Sequence, residues 1–254
     1  MKVLAITNQK GGVGKTTTAV NLAACLAAEG RRALLIDLDP QGNATTGAGI
    51  TKKEALPTVY QLLIGSATLA EVCISTEFGF DVLPANRELA GAEVELIELS
   101  EREFRLKNAL QAGHATYDFI LIDCPPSLSL LTLNGLCAAH GVIIPMQCEY
   151  FALEGLADLV NTIKRVAAHL NPDLTIIGLL RVMFDPRMTL QQQVSEQLVA
   201  KFGDKVFATI IPRNVRLAEA PSYGLPGVAY DRASKGAQAY IAFGAEMIER
   251  IRAL

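Results

Sequence analysis

The sequence predicts an α/β protein: a doubly wound, mostly parallel sheet with helices on both faces. Three observations carry this expectation. Short apolar segments alternate with helix-length segments along all 254 residues, the pattern of strand–helix–strand crossovers. Segments such as 119–123 and 141–146 are apolar at consecutive positions, as strands covered on both faces are. The first strand runs directly into a Gly-rich turn that opens a helix.

Taken in order, the expected strands are 3–7, 33–37, 81–84, 119–123, 141–146, 175–184 and 207–211. The expected helices between them are 15–29, 89–112, 128–139, 153–170, 190–202 and 234–253, with Ser127 as the cap of the third. Regions 40–57 and 211–231 break the alternation and are rich in Gly, Pro, Thr and Asn. Loops of that length inside a compact domain are usually functional. With no repeat, low-complexity run or linker, residues 1–254 read as one domain.

Half the residues are hydrophobic and 19% are charged, which excludes intrinsic disorder. No run of about 20 apolar residues suggests a membrane span. Met1 leads straight into a strand without a basic leader, so the expected location is the cytoplasm. The net charge of −3 argues against a globally basic binder of polyanions. Five cysteines, none in CxxC spacing, read as buried reduced thiols. His114, His140 and His169 are scattered without metal-ligand spacing.

The strongest signal is Lys10-Gly11-Gly12-Val13-Gly14-Lys15-Thr16-Thr17. Glycines let backbone N–H groups turn inward around phosphate oxygens. Lys15 can reach β- and γ-phosphates, the Thr16 hydroxyl can ligate Mg²⁺, and the helix N-terminus adds its dipole. Asp123 ends an apolar strand at its carboxyl edge, where α/β proteins bind ligands and where a carboxylate can hold Mg²⁺ through water.

The loop departs from the usual GxxxxGK[ST]: its first Gly would fall at Gln9, and Lys10 follows instead. This KGGVGKTT variant resembles the deviant Walker A motif of the ParA/MinD family of P-loop ATPases. LIDLDPQGN from Leu35, FILIDCPP from Phe119 and IPRNVRLAEAP from Ile211 resemble further family motifs, in order along most of the chain. The nearest likeness is to chromosomal ParA (Soj) partition ATPases. The resemblance implies ATP and Mg²⁺ as ligands and hydrolysis to ADP and phosphate. It implies that Asp39 positions the attacking water, with Asp37 as the neighbouring candidate. It implies that Pro212 and Asn214 contact adenine. It also implies that Lys10 reaches across a nucleotide-sandwiched homodimer to the other subunit's phosphates.

Net charge hides an asymmetry. From 71 to 103 there are nine acids and two arginines; from 181 to 235 there are eight Lys/Arg and five acids. The basic segment holds Arg181, Arg187, Arg213, Arg216, Arg232 and Lys235. The family likeness implies non-specific binding of double-stranded DNA by the ATP dimer, with Arg187 and Arg216 among the contacts, stimulation by a ParB-type centromere-binding partner, and a place on the nucleoid. Two rival readings remain at this stage. A MinD-like membrane-cycling ATPase would need a terminal amphipathic helix, whereas the C-terminal stretch reads as a packing helix without stable membrane association. A metabolic or reductase-type relative would want spaced cysteine ligands, which are absent.

Overall fold

The structure, a computed structural model, describes residues 1–113 and 116–252. His114 therefore lies outside the described residues. The first half runs β1 (Lys2–Ile6), α1 (Lys15–Ala28), β2 (Ala33–Asp37), α2 (Asn43–Gly47), α3 (Val59–Ile64), α4 (Leu69–Val72), β3 (Ile74–Ser75), β4 (Asp81–Leu83), α5 (Leu89–Glu98), α6 (Arg105–Ala112) and β5 (Phe119–Asp123). The second half runs α7 (Leu130–Ala138), β6 (Gly141–Met146), α8 (Ala152–His169), β7 (Thr175–Phe184), α9 (Thr189–Phe202), β8 (Val206–Pro212), α10 (Val215–Glu219), α11 (Gly227–Tyr230) and α12 (Lys235–Arg252). A 3₁₀ turn, Ala220–Tyr223, continues α10.

The strands form one sheet in the order β3-β4-β2-β5-β1-β6-β7-β8. All neighbours pair parallel except β3 and β4. Alternation along each central strand divides two apolar layers. Val3, Ala5, Leu34, Ile36, Ile120 and Ile122 face one layer, under α3 and α5 to α9. Leu4, Ile6, Ala33, Leu35 and Leu121 face the other, under α1 and α12. This accounts for the apolar strands: they are buried on both faces. The apolar stripe of α12, including Tyr240, Phe243 and Met247, is buried in that second layer, so its amphipathic pattern serves packing. Among the described residues, no helix is long and apolar enough to cross a membrane.

The structure corrects several expectations. The helix expected over 89–112 is two helices, because Leu99 turns extended and Glu101 takes a left-handed φ of 51°. Asn134, fully buried on α7, makes that break tolerable. Its Oδ1 accepts from Leu106 N (3.0 Å), and its Nδ2 donates to Arg102 O (2.7 Å) and Leu130 O (2.9 Å). Ser129, not Ser127, is the cap position of α7. The stretch 40–57 contains α2, and 211–231 contains α10, the 3₁₀ turn and α11. Two short helices went unread although each opens with a capping box, Thr58 with Gln61 and Thr68 with Glu71. The cysteines are free; Cys25, Cys124, Cys137 and Cys148 are buried and Cys73 is half-buried.

Removing the Asn134 amide leaves the Arg102 carbonyl and Leu106 N–H unpaired in the core. Asn134→Ala is expected to lower stability by about 2 kcal/mol, read as a shifted urea midpoint with an unchanged slope.

Candidate functional site

The sheet order brings three chain segments to one place. Strands β2, β5 and β1 are neighbours, so Asp37, Asp123 and the loop after β1 emerge side by side at their carboxyl ends. Asp37 and Asp123 are register partners.

The loop is built for an anion. Gly12 and Gly14 take left-handed φ values of 73° and 75°, a conformation that costs glycine little. Gly14 is the cap position of the 14-residue α1 and provides no side-chain cap, nor does an acidic residue stand in the first turn. The first N–H groups of that helix are thus open to a ligand. Val13 is buried and contributes through its backbone, while Gly11 and Gly12 are exposed. Lys15 is buried and folds its ammonium back onto the Lys10 carbonyl (3.1 Å). Burial lowers its pKa, and Asp123 partly restores it.

Asp123 is the least satisfied group in the site. It is 1% exposed, and neither carboxylate oxygen has a hydrogen bond of ordinary geometry among the described residues. Burial and then the Asp37 charge push its pKa well up. Thr16, second in α1 and half-buried, stands close enough to counter part of that rise. A carboxylate aimed at a helix N-terminus without a partner fits a divalent cation. Among the described residues no three His, Cys, Asp or Glu side chains converge as a metal cage. A cation here would therefore share its shell with phosphate oxygens and water.

Asp37 and Asp39 differ sharply. Asp37 is fully buried and committed: Oδ2 accepts from Thr45 N and Thr45 Oγ1, both at 2.8 Å, and Oδ1 accepts from Asp39 N at 3.1 Å. Asp39 is half-exposed, and its Oδ1 accepts from Gln41 N at 2.9 Å. Of the two, Asp39 has the face open to water.

A cavity beside Gly14 and Thr17 is lined by Val182, Met183, Pro212, Arg213 and Asn214. It joins the loop to the end of β8, where the expected base-binding residues lie. Asn214 Oδ1 is occupied as the cap of α10, accepting from Leu217 N at 3.2 Å; its amide group is the part left for a purine edge. A larger hollow by Arg32, Cys73, Asp81 and Tyr117 lies at the strands' amino ends, away from where α/β folds bind ligands.

Sequence reasoning missed three residues. Glu149 pairs with the Lys10 ammonium. Gln147 Nε2 donates to Gly12 O (3.3 Å) and to the Met183 sulfur (2.8 Å). Met183 holds a left-handed φ of 52° at an irregularity in the β7–β8 pairing and lines the cavity. Polar residues directly after the apolar β6 were the available signal for Gln147 and Glu149; Met183 had none.

The basic segment is reshaped. Arg181 is not on the surface: it is 8% exposed and donates to Ser195 Oγ (2.9 Å), Phe207 O (2.7 Å) and Ala208 O (3.2 Å). Arg187 is exposed and forms a forked pair with Asp185 at 2.9 and 2.7 Å, holding that carboxyl down at about 2. Arg216 pairs with Glu219 (2.9 Å) and Asp231 (3.5 Å). Both arginines follow the carboxyl ends of the adjacent strands β7 and β8.

A family model described as an AAA domain matches residues 1–176. The sporulation initiation inhibitor protein Soj of Bacillus subtilis is 54% identical over 247 residues, 97% of this chain and 98% of that protein. The chromosome partitioning protein ParA of Caulobacter vibrioides is 51% identical over 99% of this chain and 96% of its own length. A solved structure of cobyrinic acid a,c-diamide synthase from Mycobacterium smegmatis with ADP and magnesium is 39% identical, with a TM-score of 0.87 over 99% of this chain and 96% of that one.

Burial raises the pKa of Asp37 from 3.8 to about 6 and that of Asp123 in the same direction. Stability from such groups is full below the unfolded pKa and is lost as pH rises through the folded one. Asp123→Asn removes part of that loss. The melting temperature of the nucleotide-free variant relative to the parent is expected to climb between pH 4.5 and 7, by about 2 °C or more, in calorimetric scans.

Proposed function

The chain belongs to the ParA/Soj family of chromosome-partitioning ATPases, and from that premise we propose how its residues carry the work. Residues 1–254 act as one P-loop ATPase domain. The observation that carries this reading is the unpartnered, buried Asp123 beside the uncapped start of α1 and the Lys15 ammonium.

ATP binds with its phosphates against the backbone of Lys10 to Thr17 and against Lys15, and its base in the cavity by Pro212 and Asn214. Thr16 and, through water, Asp123 hold Mg²⁺. When bound, Mg²⁺ neutralises phosphate charge and aligns the reacting oxygens. Asp39 orients the attacking water; its half-exposed position supports it over Asp37. Lys10 is exposed and its ammonium points away from its own loop's cradle to pair with Glu149; exchanging that carboxylate for a second subunit's phosphates lets it act in an ATP-bound homodimer.

That dimer binds double-stranded DNA without sequence readout through Arg187 and Arg216, which places the protein on the nucleoid within the cytoplasm. Each of these two arginines carries its own carboxylate partner in the monomer, so in a single chain neither offers a fully free positive charge. Two chains double the contacts and make a weak surface sufficient. A ParB-type partner stimulates hydrolysis, which opens the dimer and releases DNA. The buried apolar face of α12 favours this cycle over one based on a membrane.

Lys10→Ala is expected to abolish the dimer formed with a non-hydrolysable ATP analogue in sedimentation velocity; an undiminished dimer refutes the trans role. Asp39→Ala is expected to slow hydrolysis at least about a hundredfold and to hold the ATP form on DNA. In the double variant Arg187→Glu, Arg216→Glu, DNA affinity with ATP is expected to fall. Its logarithmic salt slope should shrink by about 0.9 for each DNA phosphate no longer neutralised.

A further inference from the structure

The Asp39 loop is mechanically joined to the segment that carries Arg216. Asp37 at the end of β2 grips α2 through both the N–H and the hydroxyl of Thr45, and Asp39 O accepts from Gly42 N (2.8 Å) just before α2. Helix α2 lies on α1 at Gly47 and Val20 and ends there, and two residues on the chain turns at Gly49, whose φ is +83°. There the chain meets Gly224, with φ +68°, at the end of the 3₁₀ turn that continues α10. The approach is backbone to backbone. A Cβ on Gly49 would stand 3.2 Å from Gly224 O, and a Cβ on Gly224 would stand 3.4 Å from Gly49 Cα. The far side of the segment is tied to the phosphate-loop helix, because Asn21, buried on α1, accepts from Val228 N (3.0 Å) and donates to Thr17 O (2.8 Å).

We propose that Gly49 and Gly224 are positioning residues through which the nucleotide site sets the DNA-binding face, their side-chain-free contact passing movement of the Asp39 loop and α2 to the segment carrying Arg216. Its consequence for DNA rests on the function proposed above; the mechanical link does not. α2 is held at one end by a site carboxylate and at the other by this contact. A shift of Asp37 or Asp39 as the site takes up nucleotide therefore moves Gly49 against Gly224. Helix α10 precedes both that contact and the Asn21 tether at Val228, and the 3₁₀ turn that continues it ends at Gly224, so movement there is passed back to α10. The Arg216–Glu219 pair moves as part of α10, whereas the Arg216–Asp231 pair spans the Gly224 contact and the Val228 tether, so its geometry changes when α10 shifts.

Gly49→Ala tests the link, and Gly30→Ala is its matched control. Gly30 has a similar φ of +71° but nothing within 4 Å of a built Cβ, so both changes strain the backbone alike and only one disturbs the contact. Amide hydrogen exchange is followed over 215–230 with and without a non-hydrolysable ATP analogue and Mg²⁺. In the parent and in Gly30→Ala the analogue is expected to slow exchange there several-fold. In Gly49→Ala that response is expected to disappear while residues 11–17 still gain protection. The ratio of DNA affinities with ATP and ADP should then fall about fivefold or more in Gly49→Ala alone. Should Gly49→Ala unfold, Gly224→Ala, where the neighbours are less crowded, takes its place. The inference is overturned if Gly49→Ala keeps the response, if both alanine variants lose it equally, or if the parent shows none. If the exchange results are as expected but the parent binds no DNA with ATP, the link stands and the DNA role falls.

Discussion

A buried carboxylate without a partner organises this molecule. Asp123 ends the central strand β5, 1% exposed, with no hydrogen bond of ordinary geometry on either oxygen among the described residues and only the Thr16 hydroxyl close by, beside a second buried carboxylate at Asp37. Such a pair is costly in a low-dielectric interior unless cations answer it. Within the chain that answer is Lys15, drawn into the same space against its own desolvation. The remainder is left to whatever enters at the open start of α1. The neighbouring strands β2, β5 and β1 are what bring these groups together, so the parallel order of the sheet and the chemistry of its edge are one arrangement.

Around that centre the carboxylates divide the work by burial. Asp37 spends its oxygens on Thr45 and on Asp39 N, which fixes α2 and the turn between them. Asp39, two residues on, keeps a wet face. Several charges farther out are balanced locally: Lys10 by Glu149, Arg187 by Asp185, Arg216 by Glu219 and Asp231. A surface on which part of the cations is already paired binds a polyanion more weakly than one whose cations are all free, until geometry or copy number changes the balance. The near-neutral composition and reversible DNA binding are therefore compatible.

Much of this was legible in the sequence because it depends on short-range pattern. Strands such as Phe119–Asp123 announced themselves as apolar runs buried on both faces, and the loop from Lys10 to Thr17 carries its chemistry in consecutive residues. The break between α5 and α6 was not legible, since helical spacing of apolar residues continues across 99–104 while the partner that stabilises the break, Asn134, is about thirty residues away. Arg181 counts as surface charge in the composition of its segment, although its place between Leu180 and Val182 in an apolar strand argues for burial. Glu149 meets Lys10 across 139 residues, and Met183 reaches the cavity beside Gly14 and Pro212 through an irregular strand pairing; no local pattern encodes either.

The central claim is that nucleotide decides whether the basic ends of β7 and β8 engage DNA. Co-sedimentation of the full chain with non-specific duplex DNA, in parallel with no nucleotide, with ADP and with ATP and Mg²⁺, tests it most directly. The account predicts that the protein pellets with DNA in ATP and stays in solution in the other two, with the ATP signal falling steeply as salt rises. Equal pelleting in all three conditions, or none in any, would contradict it.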